Sequence, residues 1–311
     1  MFPACLDRKE EGRKQIHRIS KFGYGRKKIR KREGYMEKIW IDQERCTLCE
    51  LCIPVCVFGL LIKGDQSITV READKCILCG HWEAVCPQDA PQMPFLNSTE
   101  FERLPPANDR PLAEQLLEVI RSRRSTRLFR RDPVEEGKLQ RVIEAGRFAP
   151  TVLNRQPHHY VAIHTKEKIQ KVRSLAIEAL RLEGERIQKS IQKSQERGEP
   201  PTAQDQLSQP YLEVWREMAG LLTEGVDRFF CHAPAAILTH VDPSESRFPD
   251  LEAGLAVMQM LLMAEALGLG TCSCGFPSRA VEASPDLRSL LERLWRKGLA
   301  RSSKEEEFFP I

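Results

Sequence analysis

Apolar residues recur at helical spacing through much of the second two thirds of the chain. In PLAEQLLEVIRSR, Leu112, Leu116, Leu117 and Ile120 share one face and predict a helix. A second helix is predicted over 134–149, opening behind Asp132-Pro133, a capping residue followed by a ring that presets helical φ. Residues 158–164 (HHYVAIH) read as a short strand and 233–241 (APAAILTHV) as a buried one. Between them, residues 166–230 are mostly helical, broken by the polar stretch 196–206. Residues 250–268 predict another helix, and GTCSCGF at 270–276 follows it as a strand or turn. Strands alternating with helices predict an α/β or α+β domain over 112–311.

The first third is patterned differently. Residues 1–35 have no apolar periodicity and read as a disordered leader. MEKIWID, from Met36, opens like a strand, and residues 36–90 are dominated by cysteine. Six prolines then fall within 87–111, so 91–111 reads as a linker.

A length of 311 residues fits two domains, and 41% hydrophobic with 30% charged residues is ordinary for a soluble globular protein. Charge location matters more than its total. Residues 1–35 hold 12 Lys/Arg against 4 Asp/Glu, a net +8 in a chain of net +4, which leaves −4 for residues 36–311. The leader is therefore a solvated tail, a stretch upstream of a start at Met36, or a contact for an acidic protein or nucleic acid, and no nucleic-acid partner is expected of the body. The longest apolar stretch, 251–270, carries Glu252, Gln259 and Glu265, which favours a buried or interface helix over a membrane span. The N-terminus lacks an apolar secretion signal, so the expected location is cytoplasmic, where cysteines are thiols or metal ligands and not disulfides.

Seven of the 11 cysteines crowd into residues 46–86. Their spacing is Cys46-x2-Cys49-x2-Cys52-x3-Cys56, then Cys76-x2-Cys79-x6-Cys86-Pro87. Tight turns of this kind let three thiolates converge on the corners of a cuboidal cluster, while a distant fourth staples two halves together. Residues 37–90 thereby resemble the bacterial two-cluster ferredoxin domain. The resemblance implies a 4Fe–4S cluster I on Cys46, Cys49, Cys52 and Cys86, and a second cluster on Cys56, Cys76 and Cys79. Trp82 stands where the second cluster's remaining cysteine belongs, and it has no lone pair for iron. That site is expected to hold 3Fe–4S, or 4Fe–4S with a non-cysteine ligand such as His81, or to stand empty.

Three motifs follow in the larger domain: Arg123-Arg124-Ser125-Thr126-Arg127, the loop 149–157 with Asn154 and Gln156, and the glycine-flanked 264–276 with Cys274-Gly275. Arginine forks suit phosphate oxygens, amides in an irregular loop suit a planar heterocycle, and glycines let backbone N–H groups approach a ligand. In this order they resemble the nitroreductase family of FMN enzymes over residues 112–276. The fold so implied is α+β: a mixed sheet wrapped by helices, preceded by the small iron–sulfur domain. The resemblance implies that Arg123, Arg124, Ser125 and Arg127 bind the FMN phosphate and ring edge. Asn154 and Gln156 would bond the isoalloxazine or ribityl chain, and backbone at Cys274-Gly275 would donate to the ring. The basic residues near the C-terminus, Arg296, Lys297 and Arg301, do not reproduce the family's usual ending. Cys272 and Cys274 read as small apolar residues of a buried strand.

The expected function is an oxidoreductase passing electrons from reduced ferredoxin or a similar donor, through iron–sulfur and FMN, to a small organic acceptor. Nitroaromatics, quinones and activated alkenes are the implied classes. No side-chain acid or base is nominated as catalytic. The resemblance also implies a homodimer, with 250–268 a fitting interface helix, and Tyr211, Trp215, Phe229 and Phe230 as a candidate substrate cover. The alternative is a non-enzymatic electron carrier or redox sensor with a vestigial flavin domain.

Overall fold

The computed structural model describes residues 18–20, 39–93, 101–103 and 113–300. The remainder of the leader and linker, and the side chains of Arg296, Lys297 and Arg301, lie outside the described residues. The chain divides into two units, 1–113 with 153–155, and 114–152 with 156–311.

The described part of the first unit is built from short antiparallel pairs. Its strands are β1 (Arg18–Ser20), β2 (Trp40–Ile41), β3 (Leu61–Lys63), β4 (Ile68–Val70), β5 (Pro91–Gln92) and β6 (Phe101–Arg103), and its helical segments include a 3-10 turn at Ala73–Lys75 and α1 (His81–Val85). β1 pairs with β6, β2 with β5, and β3 with β4. Pro91 and Gln92 were expected in the linker. They are instead a strand, and Met93 beyond them is buried, because the segment supplies a ladder partner for Trp40 and Ile41. The core unites Ile39, Ile41, Leu60, Leu61, Ile68 and Trp82. The cysteine-bearing loops hang from this core. Leu48, Glu50 and Leu78 in them have φ of 55, 62 and 54°, left-handed values that side-chain-bearing residues adopt at a cost.

The second unit carries the helices α2 (Ala113–Ser122), α3 (Glu136–Arg147), α4 (Lys166–Glu196), α5 (Ala203–Ser208), α6 (Leu212–Thr223), α7 (Pro249–Ala266), α8 (Phe276–Ala283) and α9 (Pro285–Ala300). Strands β7 (His158–Ile163) and β8 (Ala236–Val241) pair antiparallel, His158 opposite Val241 and Ile163 opposite Ala236. Ser125 forms a parallel bridge to Thr271, so the mixed-sheet expectation reduces among the described residues to one antiparallel pair and this bridge. β8, expected to be buried, is half-buried except at His240, which is exposed. α4 packs on α6 and α8 around Leu180, Ile187, Trp215 and Met218. α3 packs on α7 at Gly146, where an added Cβ would fall 2.8 Å from Met260 Cγ. Among the described residues no helix is long and apolar enough to cross a membrane.

The β7–β8 register sets His159 directly opposite His240, with stacked rings 6.0 Å apart. Burial holds the His159 imidazole below its ordinary value; His240 and His158 add to this, while Glu245 and Asp242 oppose. A depressed imidazole is neutral when folded, so the folded state binds fewer protons than the unfolded chain. Its contribution is therefore complete above the ordinary histidine value of about 6.5 and is lost as pH falls below it. Urea midpoints are expected to fall between pH 7.5 and 5.5, and to fall less in His159→Gln. Equal drops in both proteins would remove His159 from the account.

Candidate functional site

The second unit holds a cavity of about 1930 Å³, which exceeds the roughly 300–1,000 Å³ of ordinary small-molecule pockets. One wall is the β7–β8 pair, with His159 and Leu238; another is α7, with Val257 and Met260. The end is closed by the 268–278 segment, and Tyr211, Trp215, Phe229 and Phe230 all line it. The four aromatics thus do face one space, although Trp215 and Phe229 are also core residues.

Local chemistry explains the closing segment. α7 ends in a left-handed Gly268, φ 72°, with Gly268 N–H donating to Glu265 O at 2.9 Å and Leu269 N–H to Ala264 O at 2.9 Å. The chain then passes Thr126, whose N–H donates to Thr271 O at 2.8 Å. A Cβ on Gly270 would sit 2.6 Å from Thr126 Oγ1, so glycine permits the bridge. The glycines do bring backbone close, to Thr126.

Of the residues expected to bind cofactor, Arg127, Cys274 and Gly275 line the cavity together. Ser125 adjoins it through the bridge to Thr271. Arg124 turns back on its own helix, where its guanidinium donates to the carbonyls of Arg121 and Arg123 and caps α2. Arg123 and Arg124 are not among the cavity's lining residues. Asn154 Nδ2 donates to Leu78 O at 2.9 Å and Ile77 O at 3.3 Å, in the Cys76–Cys79 loop. Gln156 is exposed and its N–H donates to Thr151 Oγ1 at 3.0 Å. Cys272 and Cys274, expected as buried small apolar residues, are half-buried and line the cavity.

Glu252 is a residue that sequence reasoning passed over as a mere interruption of an apolar helix. It is 2% exposed. Its Oε1 accepts from Val152 N–H at 2.7 Å, and its main-chain oxygen meets His158 Nε2 at 2.9 Å. One residue of α7 thus braces both ends of the 152–158 loop. Leu153, Asn154 and Gln156 in that loop all have φ near 50°, and such a strained conformation persists only where its surroundings hold it. Glu252→Ala is expected to cost about 1–3 kcal/mol, the range for orphaning a buried donor that met a carboxylate. Amide exchange at Val152 should accelerate with it. Glu252→Gln keeps an acceptor and should restore protection; protection unchanged in the alanine variant would refute the brace.

The 227–232 turn forms the opposite lip. The Asp227 carboxylate, fully buried, pairs with Arg173 at 2.7 Å and accepts from Phe229, Phe230 and His232 N–H at 2.9, 3.0 and 3.2 Å. Burial pushes that carboxyl up, but the Phe230 N–H, Arg173 and the His232 N–H outweigh it and hold it below the usual range. Beyond it Cys231 and His232 take left-handed φ of 53 and 58°.

In the first unit, Cys52 is the buried member of its set. Burial, then the neighbouring thiols of Cys86, Cys49 and Cys46, push the Cys52 thiol up to about 11, against a backbone hydrogen bond that lowers it. Cys46, Cys49 and Cys86, the other three residues expected on cluster I, each act electrostatically on Cys52. Backbone N–H groups point at three further sulfurs: Leu60 to Cys56 at 3.3 Å, Leu78 to Cys76 at 3.4 Å, and Ala90 to Cys86 at 3.3 Å. Among the described residues no three His, Cys, Asp or Glu are grouped so as to hold a single metal ion. His81 is exposed and Trp82 is buried in the core.

No curated protein matches the chain. Among solved structures, it is similar to a nitroreductase with bound FMN from Desulfitobacterium hafniense, at 20% identity and TM-score 0.42, over 64% of this chain and 86% of that one. It is also similar to an FMN-bound nitroreductase from Bacteroides fragilis, at 21% identity and TM-score 0.38, over 63% and 83% of the two chains. A BluB-like flavoprotein from Clostridium difficile is similar at 17% identity and TM-score 0.40, over 63% and 86%. The profile of the nitroreductase family matches residues 120–293, more than half of the chain and nearly all of the described second unit. By that match, the chain belongs to the nitroreductase family.

Proposed function

We propose that the chain is an FMN-dependent oxidoreductase of small organic acceptors, supplied with electrons through iron–sulfur clusters in its first unit. The observation that carries the reading is the second unit's cavity, where Arg127 and the Cys274-Gly275 backbone meet. Its chemistry suits a flavin. Arg127 offers a fork for phosphate. The buried hydroxyls of Thr239 and Thr271 line it without a hydrogen-bond partner, a deficit that a ring edge rich in N and O relieves.

When bound, FMN supplies hydride or single-electron transfer, and iron–sulfur supplies single electrons. The chain's own residues would bind, orient and exclude water. The Tyr211, Trp215 and Phe230 faces suit a flat acceptor such as a nitroaromatic, quinone or activated alkene. Cys46, Cys49, Cys52 and Cys86 would hold cluster I. The burial that disfavours a lone thiolate at Cys52 is offset once iron lies beside it. Cys56, Cys76 and Cys79 would serve a second, incomplete site. A homodimer suits the exposed apolar stripe Leu251, Leu255 and Met258 on α7, spaced to share a face.

Anaerobic purification and reconstitution, followed by absorbance, iron counting and EPR, tests both halves at once. Expected are bound FMN and at least one 4Fe–4S signal. Clusters without FMN would leave a non-enzymatic electron carrier; FMN without iron would remove the cluster half. Arg127→Ala is expected to weaken FMN retention about tenfold, the loss of one charge-assisted contact, read by ultrafiltration of the loaded protein.

A further inference from the structure

Residues 153–155 belong to the first unit, far along the chain from its ferredoxin-like residues. There the Asn154 side chain spans two consecutive peptides of the Cys76–Cys79 loop, its Nδ2 donating to Leu78 O at 2.9 Å and to Ile77 O at 3.3 Å. Only the NH2 of a side-chain amide can meet two carbonyl oxygens, which fixes the orientation of the group. Both peptides are trans, so each N–H points away from the carbonyl with which it shares a plane. Holding Ile77 O and Leu78 O on Asn154 therefore turns the Leu78 and Cys79 N–H groups to the opposite side. The Leu78 N–H lies there on Cys76 Sγ, at 3.4 Å. Leu78 and Gly80 are left-handed, with φ of 54 and 72°, and such backbone gathers N–H groups into an anion-facing concavity. Position 154 is itself left-handed, φ 51°, a conformation that asparagine tolerates better than most residues. The residue type meets two demands at once, the backbone angle and a donor for two carbonyls.

We propose that Asn154 is a positioning residue for the second cluster site: by holding the Ile77 and Leu78 carbonyls it turns the loop's N–H groups toward its sulfurs, and so raises the reduction potential of that site. This rests on the proposed reading of Cys56, Cys76 and Cys79 as iron ligands. Hydrogen bonds to the sulfurs of an iron–sulfur site favour its more negative, reduced form, which is how they raise the potential. Outside support suits this loop in particular. The residue at its third motif position, Trp82, packs in the core instead of offering a thiolate, so the loop is fastened to iron by two cysteines where an ordinary motif has three. Asn154 acts through the backbone, from 76 residues beyond Leu78. The amide that the family resemblance assigned to the flavin is thereby engaged at the cysteine loop.

The test compares the full chain with Asn154→Asp, which keeps the size and the left-handed tolerance of the residue but turns two acceptor oxygens on the two carbonyls. In the iron-free chain, amide exchange at Leu78 and Cys79 and alkylation of Cys76 and Cys79 by iodoacetamide should quicken severalfold. Cys46 and Cys49 should alkylate as in the parent. After anaerobic reconstitution with ferrous iron and sulfide, an EPR redox titration should show the second cluster's midpoint shifted to more negative potential, with cluster I unmoved. Should Asn154→Asp fail to fold, Asn154→Gly removes the donor without strain and must give the same shifts. A parent that forms no second cluster removes the cluster reading, and the exchange and alkylation rates still decide whether Asn154 holds the loop. Equal rates in parent and variant overturn the proposal. So does an unchanged midpoint in a variant that loads as much iron as the parent, or a variant that loses FMN while its loop behaves as the parent's.

Discussion

Replacing Trp82 by alanine is expected to cost about 3–5 kcal/mol, the range for cutting a large aromatic from a core. Trp82 is 2% exposed and packs in the cluster formed by Ile39, Ile41, Leu60, Leu61 and Ile68. Small domains bury too little surface to spare such a loss, since total stability is itself only about 5–15 kcal/mol. The first unit of the alanine variant should therefore be unfolded or molten, with weak ellipticity from its strands and accelerated exchange at Leu60, Leu61 and Ile68, while the second unit retains its own transition. Trp82→Phe should keep most of the packing and lose far less. Trp82→Cys is the revealing substitution. It restores the motif cysteine, but at a position whose side chain supports the core, so the apo protein should lose about 2–4 kcal/mol through the vacated volume. An iron-loaded Trp82→Cys protein as stable as the parent would mean that a fourth thiolate compensates. An apo alanine variant within 1 kcal/mol of the parent would mean that the core does not depend on the indole.

Position 82 shows where sequence and structure part. The cysteine spacing was legible as a motif because it repeats over a few residues, and Cys52 is the buried member of its set. A departure from the motif is legible too, but what the residue there does instead is a tertiary matter, and spacing carries no word of a core. The helices α3, α4 and α7 and the strands β7 and β8 were read within a few residues from periodicity. β5 was not, because two residues, one of them a proline, have no period. In the cavity, Arg127, Cys274 and Gly275 were found from local motifs. Arg124 was grouped with them by adjacency, yet successive residues leave a helix end in different directions, and its guanidinium folds onto Arg121 and Arg123. Glu252 acts across 100 residues of chain through one hydrogen bond. The only local sign of it was a carboxylate in an apolar helix.

Asp227 left no sign in the sequence beyond an acidic residue before two phenylalanines, and its replacement by alanine carries the second large effect. About 3–5 kcal/mol is expected, the cost of leaving one partner of a buried pair uncompensated. Arg173, only 14% exposed in its side chain, would lose its carboxylate, and the N–H groups of Phe229, Phe230 and His232 would lose their acceptor. Asp227→Asn keeps an acceptor oxygen for Phe229 and Phe230 and should fall between. The double variant Asp227→Leu with Arg173→Met removes both charges, so it should recover part of the loss on Arg173's account and none on the turn's. The pH dependence has a definite sign. The Asp227 carboxyl titrates below its unfolded value of about 3.9, so its stabilising share is complete above that pH and drains away as pH falls through the folded value. Urea midpoints of parent and Asp227→Asn should therefore converge toward acid. The turn offers an independent readout. Without Asp227, the turn keeps the Ala233 N–H on Phe230 O at 2.9 Å and the His232 ring on Gly225 O at 3.0 Å but loses the carboxylate, so amide exchange at Phe229, Phe230 and His232 should accelerate even in protein that remains folded. A folded Asp227→Ala variant whose Phe229, Phe230 and His232 amides exchange no faster than the parent's would show that the left-handed conformations at Cys231 and His232 are held from elsewhere.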